Sequence, residues 1–313
     1  MDHLLPGLSI GAEEPPSRHD LASALDGADL VVVENLCSLP LNPAAASAVA
    51  EALAGRPALL HHHDLPWQRP QFAGHPPPPT DDRWRHVTIN ELSRLELAGR
   101  GIAATTVYNA FEIPRPGAAV GSEAADARRR AVRRSLGLTD DERLVLQPTR
   151  ALPRKNIAGG LAVATRLGAT YWLLGPAEDG YGPELEALVT SADCPVLLGA
   201  PTTVDPRTDD PLTIDDAYLA CDVVTLPSTW EGFGNPSIES VAHRRPLAIG
   251  PYPVAAELAA FGFVWFALDE TDRLRAWLEA PDDALLEHNL AVASAHFSTR
   301  DLPGRIAAVL PDL

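Results

Sequence analysis

Glu231-Gly-Phe-Gly-Asn-Pro-Ser-Ile-Glu239 sets two carboxylates eight residues apart around a glycine turn. An apolar run, Val223 to Leu226, precedes it and closes at Pro227-Ser228, and a helix-like segment continues through Ala242. A buried strand, a glycine turn and a helix start suit an anionic or polyhydroxyl ligand, because the first N–H groups of a helix lack internal partners. Gly232 and Gly234 let the backbone come close, so amide N–H groups can reach phosphate or sugar oxygens. Glu231 and Glu239 can accept bonds from hydroxyls. The plainer alternative is an ordinary helix start with acids that favour its dipole.

Two cations stand in a similar place upstream. Pro148-Thr-Arg150 ends a strand, and Arg154-Lys155-Asn156 starts the next helix. The step from Arg150 to Lys155 puts both at the end of that strand, where they can neutralise a diphosphate gaining charge as a glycosidic bond breaks. Of 25 basic residues, Lys155 is the single lysine, which suggests a position where a compact ammonium is needed. Gly175-Pro176, in the loop Gly175-Pro-Ala-Glu-Asp-Gly180, follows another strand and can line a nucleotide pocket or serve as a plain turn.

His61-His-His63-Asp64-Leu-Pro-Trp67 follows a buried run in the first half. Consecutive residues on an extended chain alternate sides, so the three histidines cannot share one ion without a ligand from elsewhere; no metal is expected. The preferred reading is His63 facing an acceptor and oriented by Asp64, with His61 and His62 as strand-end packing. Asn109, past Val107-Tyr108, either bonds a ligand hydroxyl or caps a turn.

These residues need a scaffold that presents strand ends. Six short apolar runs in the second half, from Arg143–Gln147 to Phe263–Phe266, alternate with helix-period segments. This is the rhythm of βαβ units and a parallel sheet, whose ligands bind beyond the carboxyl ends of the strands. The first half repeats it less fully, with strands near 30–34, 58–61, 86–90 and 105–108 and helices over 18–26, 43–54 and 91–99. A linker over 112–125, holding Pro114, Pro116 and Gly117, separates the halves. The expected domains are 1–125 and 126–282, with helices over 283–313 that pack back across the boundary.

Composition narrows the classes. With 313 residues and 46% hydrophobic content, the chain has room for two cores. A formal charge of −17 argues against nucleic acid as a partner, since phosphate binding needs a basic surface. Arg128-Arg129-Arg130 with Arg133 and Arg134 reads as a solvated helix face, with a membrane or acidic-partner contact as the alternative. No apolar run reaches the roughly 20 residues of a membrane span, and no secretion signal is recognisable, so a cytoplasmic location is expected. Cys37, Cys194 and Cys221 are too scattered for a disulfide framework or a zinc site, and Cys194 and Cys221 read as packing residues.

Arg150-x4-Lys155, Gly175-Pro176, Pro227-Ser228 and Glu231-Gly-Phe-Gly-x4-Glu239, in this order, resemble the retaining glycosyltransferases of family 4. His63-Asp64-Leu-Pro-Trp67 and Val107-Tyr-Asn109 resemble that family's acceptor-side elements. The resemblance spans roughly residues 28–300. It implies the GT-B fold, two Rossmann-like domains facing each other across a cleft, and a nucleoside diphosphate sugar as donor. It also implies that Arg150 and Lys155 bind the diphosphate, Glu231 the sugar hydroxyls and Glu239 the ribose, while the Phe233 and Gly234 amides orient the sugar and phosphate, with no metal and no cofactor. Departing from the family, Leu4 to Ile10 leads into Glu13-Glu-Pro-Pro16 rather than a glycine-rich loop and long helix, so the first βαβ region reads as reduced or missing. A second copy or a partner chain completing the cleft is therefore an alternative. So are a non-catalytic nucleotide-sugar binder and a sugar-nucleotide epimerase on the same fold.

Overall fold

The computed structural model describes residues 4–115, 121–200, 203–205 and 210–310. The chain forms two units: one runs to Asn109 and takes the chain back from Asp301, and the other is Ala110–Arg300. The boundaries expected at 125/126 and 282/283 both fall inside the second unit. Of the expected linker, Pro116 and Gly117 lie outside the described residues.

The first unit holds strands β1 (Val31–Glu34), β2 (Ala58–His62), β3 (Trp84–Thr88) and β4 (Ala104–Thr106), with helices α1 (Arg18–Ala24), α2 (Pro43–Leu53) and α3 (Glu91–Ala98) between them. The strands pair in chain order and all run parallel. Each helix starts on a side-chain oxygen at its N-cap: Ser17, Asn42 and Asn90 accept from the N–H groups of Asp20, Ala45 and Ser93. Leu59 and Val87 from the sheet pack against Val309, with Leu302 and Ile306 beside them. The chain's last helix, α12 (Leu302–Ala307), thus belongs to the first unit, whereas α11 (Asp283–His296) belongs to the second.

The second unit opens with α4 (Glu123–Ser135) and then alternates β5 (Leu144–Gln147), α5 (Ile157–Leu167), β6 (Thr170–Leu173), α6 (Gly182–Thr190) and β7 (Val196–Leu198). A short antiparallel pair, β8 (Thr203–Asp205) and β9 (Asp210–Pro211), leads to α7 (Ile214–Ala220) and β10 (Val223–Leu226). Then come α8 (Pro236–Ala242), β11 (Leu247–Ile249), α9 (Pro253–Ala259), β12 (Phe266–Ala267) and α10 (Thr271–Glu279). The main sheet is parallel and ordered β12-β11-β10-β5-β6-β7. Counted from β5, this is the Rossmann order 3-2-1-4-5-6, which reverses direction between β5 and β10. All four residues of β5, β6 and β10 are buried, which is why these runs read as continuously apolar rather than alternating.

Arg128, Arg129 and Arg133 are not on a solvated face, contrary to the sequence expectation, whereas Arg130 and Arg134 are exposed as expected. Arg128 grips Asp216 through two contacts of 2.6 Å. Arg129 Nη1 donates to the carbonyls of Leu219, Ala220 and Cys221 at 2.7, 2.8 and 2.9 Å. Arg133, 0% exposed, donates to the carbonyls of Ala220 and Thr139. The cations on α4 satisfy carbonyls at the end of α7 that the helix itself leaves open, and they offset its dipole. Cys221 is fully buried and Cys194 half-buried, both as free thiols.

Candidate active site

The loops leaving β5 and β10 emerge on the two sides of the strand-order reversal, and they carry the site. After Gln147 the chain passes Arg150 and makes a single 3-10 turn, Pro153–Lys155. Asn156 then takes a left-handed conformation (φ 49°) and caps α5 by accepting from the Gly159 N–H. That reversal turns Lys155 inward. Its carbonyl accepts from Gln147 Nε2 at 3.0 Å, and Gln147 is itself fixed by the Tyr171 hydroxyl at 2.6 Å. The β10 loop is tied alongside: Asn156 Nδ2 donates to the Pro227 carbonyl and the Thr229 N–H to that of Arg154.

Lys155 Nζ meets Glu231 Oε1 at 2.5 Å, and the Ser228 hydroxyl donates to the same oxygen at 2.6 Å. Arg154 Nη1 reaches Glu231 Oε2 at 3.2 Å and also the Trp230 carbonyl at 3.1 Å. Lys155 and Glu231 are 8% and 7% exposed, so their attraction is little screened by water. Burial pulls the Lys155 ammonium below its ordinary pKa, and the neighbouring Glu231 carboxylate pushes it back up.

Arg150, at the same strand end, pairs with Glu178 Oε2 at 2.6 Å and stays half-exposed, close enough for its charge to act on Lys155. Its backbone packs against Gly175, where an added Cβ would lie 2.6 Å from the Arg150 Cα. The Ala151 N–H donates to the Pro176 carbonyl, and Glu178 N–H returns a bond to Ala151. The loops after β5 and β6 are thereby zipped together, with Gly175 allowing the close approach. Gly232 and Gly234 flank Phe233, which is buried against Phe111 and Phe297. Gly234 adopts φ 89°, a region that disfavours side chains. Glu239 lies on α8 and accepts from the Tyr218 hydroxyl at 2.6 Å; burial holds its carboxyl above the usual range, a shift the Tyr218 bond opposes.

In the first unit the expected His63–Asp64 dyad does not form. His63 Nε2 lies 2.9 Å from Glu34 Oε2, whereas Asp64 pairs with Arg69 at 3.0 Å. His61 Nδ1 joins the same Glu34 oxygen at 2.8 Å. His62 points to the other side, buried between Ser38 Oγ and His86 Nδ1. Asn109 follows β4 at the edge of the unit. Sequence reasoning missed Arg154, Ser228, Tyr218 and Glu34. Arg154 and Ser228 stood within the quoted motifs, while nothing local marks Tyr218 or Glu34.

No protein-family profile matches the chain. It is similar to the mannosylglucosylglycerate synthase of Petrotoga mobilis, 27% identical over 75% of this chain and 62% of that one. The mannosylglucosylglycerate synthase of Thermotoga maritima is 26% identical over 91% of this chain and 76% of that protein. The chain thus spans somewhat under two thirds of the Petrotoga relative. Among solved structures, Anabaena Alr3699/HepE in complex with UDP superposes with a TM-score of 0.67 at 21% identity, covering 94% of this chain and 82% of that one. Two α/β units on parallel sheets, joined with these likenesses, give the chain the GT-B fold of glycosyltransferases.

Proposed function

We propose that this chain is a retaining glycosyltransferase of the family 4 type, moving a sugar from a nucleoside diphosphate sugar to an acceptor hydroxyl. One observation carries the reading: a buried lysine and glutamate meet at 2.5 Å on the loops that leave the sheet at its strand-order reversal. Open parallel sheets bind nucleotides at that point. The kinship with two synthases of a glycosylated glycerate, and with a fold solved around UDP, supports the same class.

In this reading the C1–oxygen bond of the donor breaks and its electron pair stays with the diphosphate. Lys155, Arg150 and Arg154 stabilise that growing charge from fixed positions, so little reorganisation accompanies the step. Ser228, Lys155 and Arg154 hold the Glu231 carboxylate, leaving it oriented to accept bonds from donor-sugar hydroxyls. Glu239 takes the ribose hydroxyls. Gly175 and Pro176 let backbone approach the diphosphate, and Gly232, Phe233 and Gly234 shape the wall beside the sugar. The acceptor oxygen bonds to C1 on the face the phosphate leaves and gives its proton to that phosphate, so the anomeric configuration is kept. His63 and Asn109 belong to the acceptor side, with Asp64 fixing the local turn through Arg69. No metal step is required at the diphosphate, because protein cations supply the charge.

The relatives' name makes an acidic glycoside the first acceptor class to test. The experiment is turnover of UDP-, GDP-, ADP- and TDP-sugars with such acceptors, the product anomer being read by proton NMR. Retention, and a loss of at least about 100-fold in kcat/KM in Lys155→Ala and Glu231→Ala, are expected. Near-wild-type turnover in either folded variant, or an inverted product, contradicts the reading.

A further inference from the structure

We propose that Glu34, His61 and His63 form a binding site for a divalent transition metal, with Zn²⁺ as the best match. The site lies in the first unit and does not depend on the donor reading above. Its geometry follows from strand register. β1 and β2 run parallel with Glu34 directly opposite His61. His61 and His63 are two residues apart, so both project from the face that Glu34 shares, and His62 between them turns the other way. The alternation that keeps three consecutive histidines from one ion therefore selects the outer two, and the neighbouring strand supplies the third ligand.

One Glu34 oxygen sits 2.8 Å from His61 Nδ1 and 2.9 Å from His63 Nε2, and the three donor atoms lie within 4.8 Å of one another. Bonds of about 2.0–2.1 Å in tetrahedral zinc geometry place neighbouring ligand atoms about 3.3 Å apart. The carboxylate needs to withdraw from each ring by only about half an ångström to admit the ion. Two imidazoles and a carboxylate favour Zn²⁺, Co²⁺ or Ni²⁺ over Mg²⁺ or Ca²⁺, which take oxygen ligands. Three protein ligands leave a coordination position for water or a hydroxyl oxygen.

The surroundings hold the triad in place without closing it. Asn35 turns the chain after β1 at φ 58°, and its side-chain oxygen accepts from the N–H groups of His63 and Asp64 at 3.0 and 3.3 Å. Its own N–H donates to the His61 carbonyl at 2.8 Å. His61 Nε2 is buried without a partner among the described residues, so Glu34 is the polar contact that orients this ring. The His61, His63 and Glu34 side chains are 16%, 40% and 58% exposed, which leaves a path from solvent.

The test uses the full chain stripped of metal and titrated with Co²⁺, followed by visible d–d absorption, then with Zn²⁺ in competition. A single equivalent with the intense bands of low coordination is expected. Affinity should fall by at least about tenfold in His63→Asn and in Glu34→Gln. His19→Asn, an exposed histidine outside the triad, should bind as the parent does. His63 is partly exposed, so its variant is expected to fold, and circular dichroism checks this. Absence of binding near one equivalent, or unchanged affinity in the folded His63→Asn variant, overturns the proposal.

Discussion

Lys155 Nζ and Glu231 Oε1 stand 2.5 Å apart, although 76 residues separate them in the chain. Each is buried, and each is the other's main compensation for leaving water. Removing Glu231 strands the Lys155 charge, and removing Lys155 leaves Glu231 with only Arg154 and Ser228; leaving a buried charge under-compensated costs more than the pair itself contributes. Lys155→Met and Glu231→Gln are each expected to lower stability by about 2–4 kcal/mol, with the double variant recovering part of the sum. Urea unfolding of the four proteins measures the coupling. Strict additivity would show that the contact carries no energy.

Because Lys155 is the chain's single lysine, its titration can be followed alone. Burial lowers its pKa and the Glu231 carboxylate raises it. NMR of isotopically labelled lysine is expected to show a pKa below the ordinary 10.5, lowered further in Glu231→Gln because only the opposing charge is lost. A rise in that variant would contradict the pairing.

Gly234 combines φ 89° with a position where an added Cβ would collide with the Tyr252 hydroxyl. Gly234→Ala is expected to cost about 2 kcal/mol or more in chemical denaturation, through backbone strain and the displaced tyrosine. Adding Tyr252→Phe should relieve the clash with the hydroxyl oxygen but leave the contact with Cζ at 2.9 Å and the backbone strain, so only part of the loss is recovered. Wild-type stability in the single variant would show that the turn has another conformation available.

Asp216 ties α4 to α7 through Arg128, whose guanidinium holds its carboxyl at about 2, against an ordinary 3.8. A depressed carboxylate pKa contributes stability that is fully present above 3.8 and fades as pH falls through about 2. Asp216→Asn should therefore lower Tm at neutral pH, and the gap should close as pH approaches 2. A gap that persists unchanged at the acid end would assign the effect to packing.

Much of the second unit was legible because its strands are buried on both faces and stand out as apolar runs ending at Gly or Pro. The Glu231–Glu239 motif and the special status of Lys155 were readable for the same reason: glycines and a lone lysine are visible without coordinates. Residue spacing did not single out Arg154, which takes the second cationic contact to Glu231 while Arg150 pairs with Glu178. Glu34 was hidden because parallel register, rather than sequence proximity, brings it to His61. Arg129 and Arg133 of α4 were misread as solvated because their partners include carbonyls at the end of α7, which every sequence possesses and none advertises.

The central claim, a nucleoside-diphosphate-sugar site built on Lys155 and Glu231, is tested most directly by thermal unfolding with UDP-, GDP-, ADP- and TDP-sugars, each with and without EDTA. A rise in Tm with one donor, indifferent to EDTA and lost in Lys155→Ala and Glu231→Ala, is the predicted result. No rise with any donor, or an equal rise in both variants, would contradict it.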